Sequence, residues 1–128
     1  MKNFFPDSEL RCKCCGLLRL HPGFMDKLNG LREEFGRPMT PNSCCRCKKH
    51  NASIPGHPNS LHVADFPAHA KAEGALAIDI HTPDGEYRGA LFALAWKRGW
   101  SIGWNAKKNF LHLDRRIDIG MPQTSFDY

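Results

Sequence analysis

The 128-residue chain has no run near the ~18 consecutive apolar residues that a membrane-spanning helix needs, so insertion into a bilayer is not expected. Its opening residues, MKNFFPDSEL, carry one lysine followed by proline and acids. That is not the charged-then-apolar pattern of a secretory signal, and synthesis in the cytoplasm without a signal peptide is expected. Long basic runs are also missing. Lys48–Lys49, Lys107–Lys108 and Arg115–Arg116 are isolated pairs with no aromatic residues interleaved, which leaves nucleic-acid binding without support. No repeat and no linker divides the sequence, so residues 1–128 are expected to form one domain, acting as a monomer.

What is present is ordinary for a folded protein: 41% apolar and 24% charged residues, with a net charge of +5. A basic balance favours polyanionic partners, the bacterial cell wall among them. Six cysteines form two clusters, Cys12, Cys14, Cys15 and Cys44, Cys45, Cys47. Without a secretory context a disulfide framework is not the default. Each cluster contains a C-x-C, tighter than the C-x-x-C of ordinary zinc knuckles. Reduced thiols are therefore expected, with a second metal site or disulfides after release as alternatives.

Phe24, Leu28, Leu31 and Phe35 repeat at helical spacing, after Pro22 and before a stop at Gly36. A second helix is expected beyond Thr82 as cap and Pro83 as first residue, with Tyr87, Leu91, Leu94 and Ala95 on one face and Gly99 at the end. Residues 1–20 and the tail after Arg115 show no period. Residues 39–45 read as a short strand and residues 50–60, rich in turn formers, as loop. WSIGW and NFLHLD read as strands joined by the turn NAKK. The pattern predicts an α+β fold, two main helices against a small, mostly antiparallel sheet.

The segment ALAIDI, residues 75–80, places an acid inside an apolar strand. A buried carboxylate is costly unless something positive holds it. Strand alternation puts Leu76, Ile78 and Ile80 on one face and Ala75, Ala77 and Asp79 on the other. In NFLHLD, Leu111 and Leu113 share a face opposite Phe110, His112 and Asp114. If the two strands share a sheet, Asp79 and His112 meet on it. A third ligand for a divalent cation is expected from the preceding loop. His62 is the choice and His69 its competitor; an open fourth position suits a catalytic site.

NSLH followed by ALAIDI, and later FLHLD, resembles the zinc D-alanyl-D-alanine carboxypeptidase family, which includes phage endolysins and shares the Hedgehog/DD-peptidase fold. In its pattern S-x-H-x-x-G-x-A-x-D, Ser60, His62, Ala77 and Asp79 match, and His112 matches the final histidine. CCRCKKHN falls on the family's SGYR…HN segment and places Arg46 on its arginine. The resemblance implies Zn2+ held by His62, Asp79 and His112, and a single zinc peptidase domain cutting peptidoglycan stem peptides. It implies a phage-type endolysin or carboxypeptidase that reaches the cell wall after release. Arg46 is then expected at the oxyanion or a substrate carboxylate, and Asp114 as general base, with Glu73 and Asp65 as alternatives. Three features depart from the family, one being Ala75 at the position of the family's glycine. VADFPAHAKAEG lengthens the stretch between His62 and Asp79, and Asn109 stands where an acid often precedes the last histidine. A non-catalytic zinc-containing binding module on the same fold is the alternative function, and a cysteine-based zinc module a third.

Overall fold

The computed structural model describes residues 2–53, 60–65 and 69–128. Among the described residues, four helices, α1 (Asp7–Leu10), α2 (Phe24–Phe35), α3 (Lys48–Ser53) and α4 (Gly85–Lys97), accompany five strands. The strands are β1 (Pro41–Ser43), β2 (Ala77–His81), β3 (Ser101–Trp104), β4 (Phe110–Asp114) and β5 (Ser125–Asp127), in the order β1-β2-β4-β3-β5. All neighbours are antiparallel except β3 and β5, which run parallel. The expected α+β architecture is the observed one.

The helices form where spacing and end signals agree. In α2, Phe24, Leu28 and Leu31 are buried, Phe35 is half-buried, and Gly36 closes the helix in the left-handed conformation. Its cap is Gly23, so the helix starts two residues after Pro22. In α4, Tyr87, Leu91 and Ala95 face inward. The expected cap, Thr82, is not used. Asp84 caps instead, its carboxylate accepting the Tyr87 amide at 2.8 Å. The chain is still pairing at Thr82, whose amide donates to the Asn109 carbonyl across the sheet, so the helix cannot yet begin.

The core lies between these helices and one face of the sheet. Ile78, Ile80, Leu111 and Leu113 are fully buried with Leu28 and Leu91, and Phe24 packs edge-on against Trp100 at 5.8 Å. Each such side chain contributes about 1.5–3 kcal/mol by leaving water. Ala75 and Ala77 are also fully buried, so both faces of β2 are covered rather than one.

Three segments with no clear sequence signal carry structure. Residues 7–10 form the single turn α1, and residues 48–53 form α3, which overlaps the start of the expected loop; residues 54–59 of that loop lie outside the described residues. The tail forms a 3-10 turn at Arg116–Ile119 and then the edge strand β5. The tryptophans divide between core and rim: Trp100 is buried, whereas Trp96 and Trp104 are each 41% exposed.

Candidate metal centre

Strands β2 and β4 pair with Asp79 directly opposite His112. The alternation read from each strand thus becomes a contact: Asp79 Oδ1 lies 3.1 Å from His112 Nδ1. His62 arrives from the segment before β2. Its backbone is pinned there because its carbonyl accepts the Arg46 amide and the Leu61 carbonyl accepts the Leu76 amide. Its Nε2 is 3.0 Å from Asp79 Oδ1 and 3.3 Å from His112 Nδ1. His62, Asp79 and His112 form one group able to hold a metal ion; His69 is not part of it.

The hydrogen bonds behind these atoms decide where the protons sit. His62 Nδ1 is 2.7 Å from the Cys44 carbonyl oxygen, which can only accept, so Nδ1 carries the proton and Nε2 the lone pair. His112 Nε2 is 2.8 Å from Asp114 Oδ2, again an acceptor, so the lone pair of neutral His112 is on Nδ1. Two imidazole lone pairs and a carboxylate oxygen therefore converge within 3.3 Å, with no hydrogen available between the neutral rings. Three electron-rich atoms held so close repel one another unless a cation, or a proton on one ring, joins them. Atoms about 2.0–2.1 Å from a tetrahedral zinc lie about 3.3 Å apart, close to the spacing seen. The donor set fits a zinc ion of catalytic type.

The electrostatics agree. His62 is fully buried, and that burial lowers its pKa, favouring the neutral ring a metal needs. Burial pushes Asp79 upward, but His62 and His112 outweigh it and hold the carboxyl well below the usual range. For His112, burial is outweighed by Asp114 and Asp79, and its affinity for a proton rises. A positive charge at this point is favoured, whether proton or metal.

Arg46 is 7% exposed and closes one side. Nη2 donates to Asp79 Oδ2 at 3.2 Å, Nε to Ser43 Oγ at 3.0 Å and Nη1 to Asn51 Oδ1 at 3.4 Å. The guanidinium occupies the second oxygen of Asp79 and leaves Oδ1 to the histidines. Asp114 is fully buried behind His112. Its carboxylate also accepts Arg116 Nε at 2.9 Å, Arg116 Nη2 at 2.7 Å and the Arg116 amide at 3.1 Å. Burial opposes its ionisation, yet Arg116 and His112 bring it down to about 2. Of the alternative acids, Asp65 accepts the Lys48 amide at 2.7 Å and so caps α3, and Glu73 is exposed beside the Leu20–Ala75 bridge.

No sequence pattern points to Tyr128, yet it belongs to the site. Its ring stacks on His112 at 4.6 Å, and the Arg46 charge acts on its phenol. Burial and the nearby Asp79 charge raise the phenol to about 12, so it stays protonated at neutral pH. Phe126 stands edge-on to the same imidazole at 5.5 Å. Room for both rings comes from Gly103, which pairs with His112; a Cβ there would lie 2.6 Å from Phe126. The one signal in the chain is that glycine inside a strand, which marks a close approach.

Comparison with known proteins adds an independent finding. A family model described as Peptidase M15 matches residues 5–114, a span that contains Arg46, His62, Asp79, His112 and Asp114. A search of curated protein sequences gave no significant match. With most of its length matched and the matched span holding a group able to bind a metal ion, the chain belongs to the Peptidase M15 family.

Proposed function

We propose that residues 1–128 act as a single zinc peptidase domain that hydrolyses peptide bonds in bacterial peptidoglycan stem peptides, in the manner of a phage endolysin or a D-alanyl-D-alanine carboxypeptidase. The observation that carries this reading is the convergence of two imidazole lone pairs and one carboxylate oxygen within 3.3 Å. The net charge of +5 suits an anionic wall, and the domain works there as a monomer after release from the cytoplasm.

His62 Nε2, Asp79 Oδ1 and His112 Nδ1 would hold the ion. Bound there, zinc polarises a carbonyl and lowers the pKa of water toward neutrality. Arg46 keeps Asp79 oriented, and its remaining donor capacity faces the oxyanion or a substrate carboxylate. The neutral Tyr128 phenol is a second donor beside Arg46. Asp114 is assigned to His112: it fixes the proton on Nε2 and presents Nδ1 to the metal. Burial and the Arg116 bonds leave its oxygens little access to water, which favours this role over that of general base.

A second reading, a zinc-containing binding module without turnover, draws on the same engagement of Asp114 and on Asn109 in the position of the family's acid. One experiment separates the two. Purified protein is assayed for zinc and for clearing of cell-wall suspensions, with and without a chelator, and the digested fragments are analysed by mass spectrometry. Chelator-sensitive release of stem peptides is expected. Stoichiometric zinc with intact wall would instead establish the binding module, and absence of metal would defeat both.

A further inference from the structure

The hydrolytic site uses none of the cysteine thiols, yet three of them gather elsewhere. Cys12 and Cys15 flank a tight turn in which the Gly16 amide donates to the Cys12 carbonyl and the Cys12 amide to the Leu17 carbonyl, each at 2.8 Å. Gly16, at φ 76°, takes the left-handed conformation that closes the turn. Cys47 sits at the start of α3, its carbonyl accepting the Asn51 amide. The Sγ atoms of Cys12, Cys15 and Cys47 all lie within 4.8 Å of one another. Cysteines 35 positions apart in the chain have been brought together by the fold.

Backbone amides point at these sulfurs as they do at bound thiolates. The Cys47 amide donates to Cys12 Sγ and the His50 amide to Cys47 Sγ, both at 3.3 Å. An amide N–H aimed at sulfur is the contact a metal-bound cysteine accepts, and a cation gives three sulfurs gathered this closely a common partner. Sulfurs about 2.3 Å from a tetrahedral zinc stand about 3.8 Å apart, within the span seen here. Cys14 is exposed in the same turn, next to Cys15, and is the thiol available there for a fourth position. The other two cysteines are turned away. Cys44 is buried with its carbonyl on His62, and Cys45 Sγ donates to the Arg19 carbonyl. The pairing in the fold is thus the C-x-x-C of Cys12 and Cys15 with Cys47, not one C-x-C from each cluster.

We propose that Cys12, Cys15 and Cys47, completed by Cys14, bind a structural zinc ion distinct from the hydrolytic one. The ion ties the N-terminal turn to the segment that delivers the Cys44 carbonyl to His62 and the Arg46 guanidinium to Asp79. It braces the catalytic ligands from behind without touching substrate.

The test counts metal in the full chain. Two equivalents of zinc are expected in the wild type. The Asp79→Ala variant should keep one, and an organomercurial that caps thiols should release one from the wild type into a chromogenic chelator. Cobalt loaded into Asp79→Ala should show thiolate-to-metal charge-transfer absorption in the near ultraviolet, which Cys12→Ser or Cys47→Ser in that background abolishes. If those serine variants do not fold, the mercurial release and the cobalt spectrum still decide. A wild type holding one equivalent that Asp79→Ala loses entirely, with no mercurial release and no charge-transfer band, overturns the proposal. That result leaves the peptidase reading intact, since the two sites share no ligand.

Discussion

Replacing Asp114 with asparagine keeps the shape of the side chain and removes one acceptor. In the native site Oδ2 receives His112 Nε2 at 2.8 Å and Arg116 Nη2 at 2.7 Å, while Oδ1 receives the Arg116 amide and Nε. The asparagine oxygen must stay with the two donors at the Oδ1 position, because turning the amide nitrogen there would face both of them. The NH2 group then points at His112 Nε2. That nitrogen must now accept, and the imidazole proton moves to Nδ1, the atom that should bind metal. Loss of such a carboxylate partner costs about 10–100-fold in metal affinity or activity, or about 1.4–2.7 kcal/mol. Competition against a chromogenic chelator at neutral pH measures the affinity, and wall clearing at saturating zinc measures turnover. Weaker binding is the expected result. If Asp114→Asn binds zinc as tightly as the wild type while turnover disappears, the orienting role is refuted and the carboxylate is the base.

Other perturbations follow from the same geometry. Arg46→Lys retains the charge but not the fork that reaches Ser43, Asn51 and Asp79, so steady-state assays should show a loss of kcat/KM that added lysine charge does not restore. Gly103→Ala forces Phe126 and Tyr128 off His112, so turnover should fall while zinc content, by metal analysis, is retained. Leu111→Ala empties a fully buried position and should cost about 2–5 kcal/mol in denaturant unfolding, whereas a loss near zero would contradict the core described. Asp118 accepts Arg115 at 3.0 and 3.1 Å and Lys27 at 2.7 Å. Burial opposes its ionisation, but Arg115 and Lys27 prevail and depress its pKa. Its contribution is therefore present above the unfolded carboxyl pKa and is lost as pH falls through the lower folded value. Asp118→Asn should flatten that acid limb of the stability profile, and an unchanged limb in melts across pH would count against the pairing.

The two central strands are legible in the sequence because their information is local. Period-two alternation puts leucine and isoleucine behind and Asp79 or His112 in front, and the observed register sets those two opposite each other. His62 is harder. A loop histidine has no period, and in the sequence its claim rests on resemblance; the fold supplies the rest by setting the Cys44 carbonyl and Asp79 on its two nitrogens. Thr82 fails as a cap because its own amide is still paired across the sheet, so the cap falls two residues later at Asp84; that tertiary contact is one no window of sequence displays. The tail is unreadable for a similar reason: β5 is three residues long and exists by pairing in parallel with β3.

By itself, the sequence determined which residues face the core along α2, α4, β2 and β4, since backbone geometry places side chains with a fixed period whatever lies beyond. It also determined that an acid would be buried in an apolar strand and would need a positive partner. Only the tertiary structure decided who that company is. Arg46 on one oxygen, Tyr128 over the imidazole, Asp114 behind it and a thiol trio on the far side come from segments distant in the chain. Their meeting depends on strand order and loop paths, which are set by the sum of all packing contacts and by no local stretch.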